Sequence, residues 1–335
     1  MQSEALFRDK PVWAAIFSLV GPSILSVLVM VIYNMTDLFF IGLLHDTAQT
    51  AAVSLVGPVF TLVSAGATTL GMGGCAVAAA SLGAGDRQDV RTVSSLCSWC
   101  AVLTGLALAL VLNLGCDPIL KALGANAEIL PHAQRYMRFL APAMLFSVSS
   151  ASLLRADGAI RRGLVGNLAG SLTNMLLDPL FILVFQWGIA GAAIATALGN
   201  LVACAFYLEY MLRHSQVLSL APGDALRRPS RLGRVLAVGL PNGVSSLLAG
   251  CAGSFSNRLL AGYGTAALAA MAAADKATMV IGLVQMGICM GVQPLLAYNV
   301  GAGDRARLRA VIGRVLLLTF AFGTAFAAAC LLGKD

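Results

Sequence analysis

Apolar residues run through this chain in long unbroken stretches, with polar residues gathered in the short segments between them. At about 1.5 Å of rise per residue, roughly 20 apolar residues in a helix cross the ~30 Å hydrocarbon core of a bilayer. Such stretches occupy 13–42, 48–82, 92–114, 131–154, 162–186, 188–212, 235–262, 276–300 and 306–332, and each is expected to be a membrane-spanning helix. The second is too long to stand upright, so it is expected to tilt or to project beyond the bilayer. Residues 1–10 are polar and the run after them exceeds a signal-peptide core, so the first span is expected to remain as a helix.

Composition removes the soluble alternative. Of 335 residues, 59% are hydrophobic and 11% are charged, against about 25% charged in soluble domains. That is too little charge to give a large apolar core a polar skin, so the partner of this surface is the lipid bilayer. The net charge of +7 is not a nucleic-acid footprint. Most Lys and Arg fall in alternate inter-helix segments: Arg8 and Lys10, Arg87 and Arg91, Arg155, Arg161 and Arg162, Arg213 to Arg234, and Arg305 to Arg314. This asymmetry follows the positive-inside rule, and it places the N-terminus in the cytoplasm of a multi-pass protein of the cell membrane. The cysteines are scattered within apolar runs. Cys97 and Cys100 have redox-motif spacing, but inside a span two small apolar residues are the simpler account. Gly71-Met72-Gly73-Gly74 follows no strand and reads as close helix packing rather than a phosphate loop.

An internal repeat organises the chain. Ser81-Leu82-Gly83-Ala84-Gly85-Asp86-Arg87 recurs as Asn299-Val300-Gly301-Ala302-Gly303-Asp304-Arg305, and Met72-Gly73 recurs at the same offset as Met290-Gly291. Gly21-Pro22 pairs with Gly239-Leu240-Pro241, and Asp37 with Asn257. The expected organisation is a six-helix bundle over 1–212, a basic cytoplasmic linker over 213–234, and the first three helices of a second bundle over 235–335. An even number of spans per unit makes the repeats parallel, with a pseudo-two-fold axis along the membrane normal and a substrate site between the halves. On symmetry the second unit is short by three helices, so the chain is expected to be part of a longer product.

Ionisable residues inside lipid are functional candidates, because each costs about 2.5 kcal/mol or more at a helix centre. Asp37 in the first span and Asp178 in the fifth each lie about 12 Å from the outward helix end, and Thr196 in the sixth about 11 Å. Tyr33 precedes Asp37 by four residues and Asn174 precedes Asp178 by four, which puts each pair on one helix face. A carboxyl pair so placed titrates as one coupled unit. It could hold a proton, or Asp37 and Asp178 could ligate sodium as a metal through their oxygens. Pro22, in the middle of the first span, removes a backbone donor and is the expected conformational hinge. Asp275-Lys276 reads as a self-compensated pair at a membrane boundary, the alternative being a polar contact in the central cavity. Asn257 replaces the second-unit counterpart of Asp37, so the ion site is expected in the first bundle alone.

The chain resembles the multidrug and toxic compound extrusion (MATE) family, in particular its DinF-like branch. The resemblance is carried by Pro22, Tyr33-Asn34-Met35-Thr36-Asp37, Leu82-Gly83-Ala84-Gly85-Asp86 and Arg155-Ala156-Asp157-Gly158. Asn174-Met175-Leu176-Leu177-Asp178-Pro179 and Gly188-Ile189-Ala190-Gly191 through Thr196 complete it. It implies an all-α integral membrane fold of MATE-like two-bundle architecture around a V-shaped cavity, here a six-helix N-terminal bundle and the first three helices of a truncated second one. It also implies export of amphipathic small molecules, often organic cations, in exchange for H+ or Na+, by a monomer that needs no cofactor beyond the coupling ion. The family's first-bundle cation site falls on Tyr33, Asp37, Asn174, Asp178 and Thr196. A lipid-linked precursor flippase would favour a basic central cavity, whereas the charge expected to face it here is mainly acidic. A non-transporting scaffold would have no need for carboxylates at matched depth. An enzyme is not expected, since His45, His132 and His214 all lie near span ends.

Overall fold

The computed structural model describes residues 6–44, 46–140, 142–263 and 265–332. Its helices are α1 Val12–Gly42, α2 Thr47–Gly83, α3 Arg87–Leu114, α4 Cys116–Ala122, α5 Leu130–Leu140, α6 Pro142–Ala156, α7 Ile160–Pro179, α8 Ile189–Arg213, α9 Pro222–Arg227, α10 Arg231–Ala261, α11 Thr265–Gly301 and α12 Arg305–Leu332. A π-helical turn, Leu180–Val184, continues α7 past Pro179. No strand occurs among the described residues. Such a chain satisfies its backbone within each segment, as lipid requires.

Eight helices among the described residues are long and apolar enough to cross a membrane. In the run 131–154 the described residues are helical on both sides of position 141, as Leu130–Leu140 and Pro142–Ala156. Large apolar side chains such as Leu106, Leu110, Leu176, Leu316 and Phe320 stand exposed on the outer helix faces. In water they would be a liability, whereas on a membrane protein they are the lipid-facing surface.

The sequence repeat reappears as repeated structure. In each copy of Gly-Ala-Gly-Asp the second glycine takes a left-handed conformation, Gly85 at φ +79° and Gly303 at φ +69°. The aspartate that follows starts the next helix by accepting a backbone N–H, Asp86 from Asp89 at 2.9 Å and Asp304 from Arg307 at 2.9 Å. Glycines also set the contact between copies. Gly73 of α2 lies against Val235 and Gly239 of α10, while its counterpart Gly291 of α11 lies against Leu19, Val20 and Ser23 of α1. A Cβ at any of these positions would collide with backbone, so the helices approach as only small residues allow.

Between α8 and α10 the connection docks on α3. Ser95 Oγ donates to the Ala221 carbonyl at 2.7 Å and Trp99 Nε1 to that of Leu220 at 3.0 Å. Arg231 Nε donates to Asp89 Oδ1 at 2.7 Å. Arg231 and Arg234, expected in the linker, lie instead in the first turn of α10.

Candidate functional site

Two helix faces build the site. On α1, Ser23, Ser26, Met30, Tyr33 and Asp37 follow one another at three- or four-residue steps, which places them on one stripe. On α7 the matching stripe is Ile160, Gly163, Asn167, Gly170, Asn174 and Asp178. The stripes meet along the two helices, and Asn167 Nδ2 donates to the Ser26 carbonyl at 3.1 Å. Close packing behind α7 comes from Gly170 against the Gly199 carbonyl of α8, with Gly199 returning the contact to Gly170 and Asn174.

At the far end of these stripes the five sequence-predicted residues come together. Asn174 Nδ2 lies 3.2 Å from Thr196 Oγ1 and 3.4 Å from Asp178 Oδ1, donating to both. Asp178 is fully buried and Asn174 nearly so. The carboxyls of Asp37 and Asp178 are near enough for their charges to act on each other, and both act on the Tyr33 phenol. Three oxygens there are buried without a hydrogen-bond partner: Asp37 Oδ1, Asn174 Oδ1 and Asp178 Oδ2. No basic side chain pairs with either carboxyl among the described residues. Buried charge is ordinarily paired or bound to a cation. Two buried acids with idle oxygens and no Lys or Arg partner among the described residues therefore form an arrangement suited to H+, or to a hard cation with oxygen ligands.

The outer ends of the helices are tied together just beyond the site. Asp46 caps α2 through Ala48 N and Gln49 N, and receives Gln49 Nε2 at 2.8 Å. Gln49 Oε1 then accepts the Ile189 N–H at 3.0 Å, next to Gly188 with its φ of +58°. This clamp fixes the start of α8 two turns before Thr196.

One member was missed by the sequence reading. Tyr136 of α5 is buried, and its phenol lies within electrostatic reach of Asp37, Tyr33 and Asp178. It sits between Arg135 and Arg138 in a stretch that looked like one ordinary span, so only a lone tyrosine near the outer end hinted at it.

Below the acids lies a cavity of about 420 Å³. Tyr33, Asn167, Thr196 and Asn200 border both it and a small side pocket that reaches Asn174, so the acid site communicates with the larger space. The walls mix hydroxyls (Ser23, Ser26, Ser64, Thr68) with Met30, Phe60, Met72, Met286 and Met290. Methionine's flexible, polarisable side chain suits a wall that must adapt to varied apolar shapes. The cavity is lined mostly by α1, α2, α6, α7 and α8, with Met286 and Met290 of α11 joining from the second repeat. One expectation needs correction: its lining is not acidic, and the one charged side chain on it, among the described residues, is Arg155. The acids lie above the cavity, one turn beyond Tyr33 and Asn174. The side chains of Asn257, Asp275 and Lys276 lie outside those described.

Long apolar helices around a polar-lined cavity, with uncompensated acids at its end, define a polytopic membrane transporter. The family model described as MatE matches residues 22–180 and again 241–335. The multidrug export protein MepA of Staphylococcus aureus (strain MSSA476) is 32% identical over 322 residues, covering 95% of this chain and 71% of that protein. A crystal structure of MATE in the straight conformation superposes with a TM-score of 0.92 at 26% identity, over 99% of this chain and 75% of that one. MATE in the bent conformation gives 0.91 at 25% identity, with 99% and 75% coverage. The chain belongs to the MatE family, and is a transporter rather than an enzyme.

Proposed function

We propose that the chain exports small amphipathic organic compounds from the cell in a multidrug manner, driven by exchange for H+ or Na+ at the Asp37–Asp178 site. The observation that carries this is the set of three idle buried oxygens on Asp37, Asn174 and Asp178, with no basic partner among the described residues. A cation there would neutralise the acids, and Tyr33 and Thr196 would pass the change to the cavity they both border. Pro22 lies on α1 next to Ser23, a cavity residue, and leaves that helix without one backbone hydrogen bond. Cation occupancy at Asp37 would bias how α1 bends at Pro22, and so reshape the cavity. The positive-inside pattern supports a cytoplasmic N-terminus, and the repeat supports two units, 1–212 and 235–335, joined by 213–234 and working as a monomer.

The test is efflux of a fluorescent organic compound from vesicles carrying the protein, under an imposed pH gradient and, separately, a sodium gradient. Gradient-driven efflux that disappears in Asp37→Asn supports the reading, and the gradient that drives it names the ion. Efflux insensitive to both gradients overturns it.

A further inference from the structure

Among the described residues, Arg155 is the one basic side chain on the cavity. It ends α6, borders the cavity, and faces Ile160 and Gly163 at the end opposite the acid site. Its Nη2 donates to Ser152 Oγ at 2.6 Å, while its Nε is buried with no acceptor. Its other neighbours, Cys75 and Tyr207, supply no carboxylate. Asp157, two residues on, accepts from Tyr210 and Ser215 instead, at 3.0 and 2.9 Å. Arg231, by contrast, is paired with Asp89 at 2.7 Å. A helix C-terminus accounts for a basic residue in the last turn. It does not account for that residue lining a cavity with no carboxylate partner among the described residues.

We infer that Arg155 is the anion-recognising subsite of this cavity, and that the compounds it takes include amphiphiles with an apolar body and a single carboxylate. A guanidinium donates to a carboxylate through charge-assisted hydrogen bonds. One arginine with one neighbouring hydroxyl matches one negative charge, whereas a phosphate dianion would leave charge uncompensated. The apolar body would lie along Met30, Phe60, Met72 and Met290, between Arg155 and the acids. A carboxylate held at Arg155 keeps its charge well away from Asp37 and Asp178, because the first turn of α7 and Asp178 are about 27 Å apart at 1.5 Å per residue. The inference rests on this cavity being the substrate site of the exporter proposed above, but equilibrium binding reads it without any gradient.

Three probes with one fluorophore decide it: dansylglycine, its neutral amide, and dansylethylenediamine as the amine. Binding to the purified protein in non-ionic detergent is followed by fluorescence anisotropy, with protein-free micelles as the blank. The wild type is expected to hold dansylglycine about tenfold more tightly than the amide, the scale of one charged hydrogen-bonded contact. Arg155→Gln should lose that preference, Arg155→Lys should keep part of it, and Arg161→Gln, at an exposed arginine off the cavity, should keep all of it. Equal affinity of the wild type for the three probes overturns the inference whatever the variants do. So does a carboxylate preference that survives in Arg155→Gln. A preference lost in Arg155→Gln and kept in Arg161→Gln supports it even if ion-driven efflux were to fail.

Discussion

Asn174 of α7 and Thr196 of α8 are joined by a hydrogen bond of 3.2 Å, and the same amide nitrogen reaches Asp178 at 3.4 Å. The bond links the buried acid to a hydroxyl on the cavity wall. Thr196→Val keeps the shape and removes the acceptor. Losing one such bond is worth about 1 kcal/mol, so the apparent affinity for the coupling ion should fall about fivefold while unfolding temperature barely moves. Ion titration of transport by the purified variant checks this, and an unchanged titration would detach Thr196 from the site.

Pro22→Ala restores the missing donor and stiffens α1 beside the cavity. The variant should insert and fold as the wild type does, yet lose gradient-driven efflux. Membrane yield and vesicle efflux, measured together, separate the two effects; wild-type efflux would remove Pro22 from the mechanism.

Gly83 of the first repeat lies against Tyr298 and Ala302, and its counterpart Gly301 against Ala80. Gly301→Val forces a side chain into backbone, and overpacking of this kind costs about 1–3 kcal/mol. Gly313→Val, where nothing approaches, should cost far less. Thermal unfolding in detergent compares them, and equal shifts would contradict the packing described.

The linker contact has its own pH signature. The Ser219 hydrogen bond to Asp224 at 2.7 Å, helped by Arg91 and Arg227, holds the Asp224 carboxyl below its usual value of 3.8. The folded form thus favours the ionised acid. The docking is fully supported above pH 3.8 and is lost only as pH falls through the lower, folded value. Protease cleavage between α8 and α10 should be slow and flat across neutral and mildly acidic pH in the wild type, and faster throughout in Asp224→Ala.

Much of this was legible in the chain because lipid imposes simple rules. Span length, charge asymmetry and the Gly-Ala-Gly-Asp repeat each have a direct physical cause, and the i, i+4 pairs Tyr33–Asp37 and Asn174–Asp178 fix which helix faces carry the acids. What resisted reading depended on how helices meet. Tyr136 joins the acids only because α5 packs across α8. Arg155 looked like one more cytoplasmic charge, since its place at a loop in sequence conceals that its side chain turns inward to the cavity.

The central claim is that Asp37 and Asp178 together hold one exchangeable cation, which substrate displaces. The most direct measurement is the number of cations released when a transported compound binds the purified protein, read as protons in weakly buffered solution and as displaced radioactive sodium. The account predicts release of a single cation per wild-type molecule and none from the Asp37→Asn, Asp178→Asn double variant. Substrate binding to the wild type with neither ion released, or release that persists in the double variant, would contradict it.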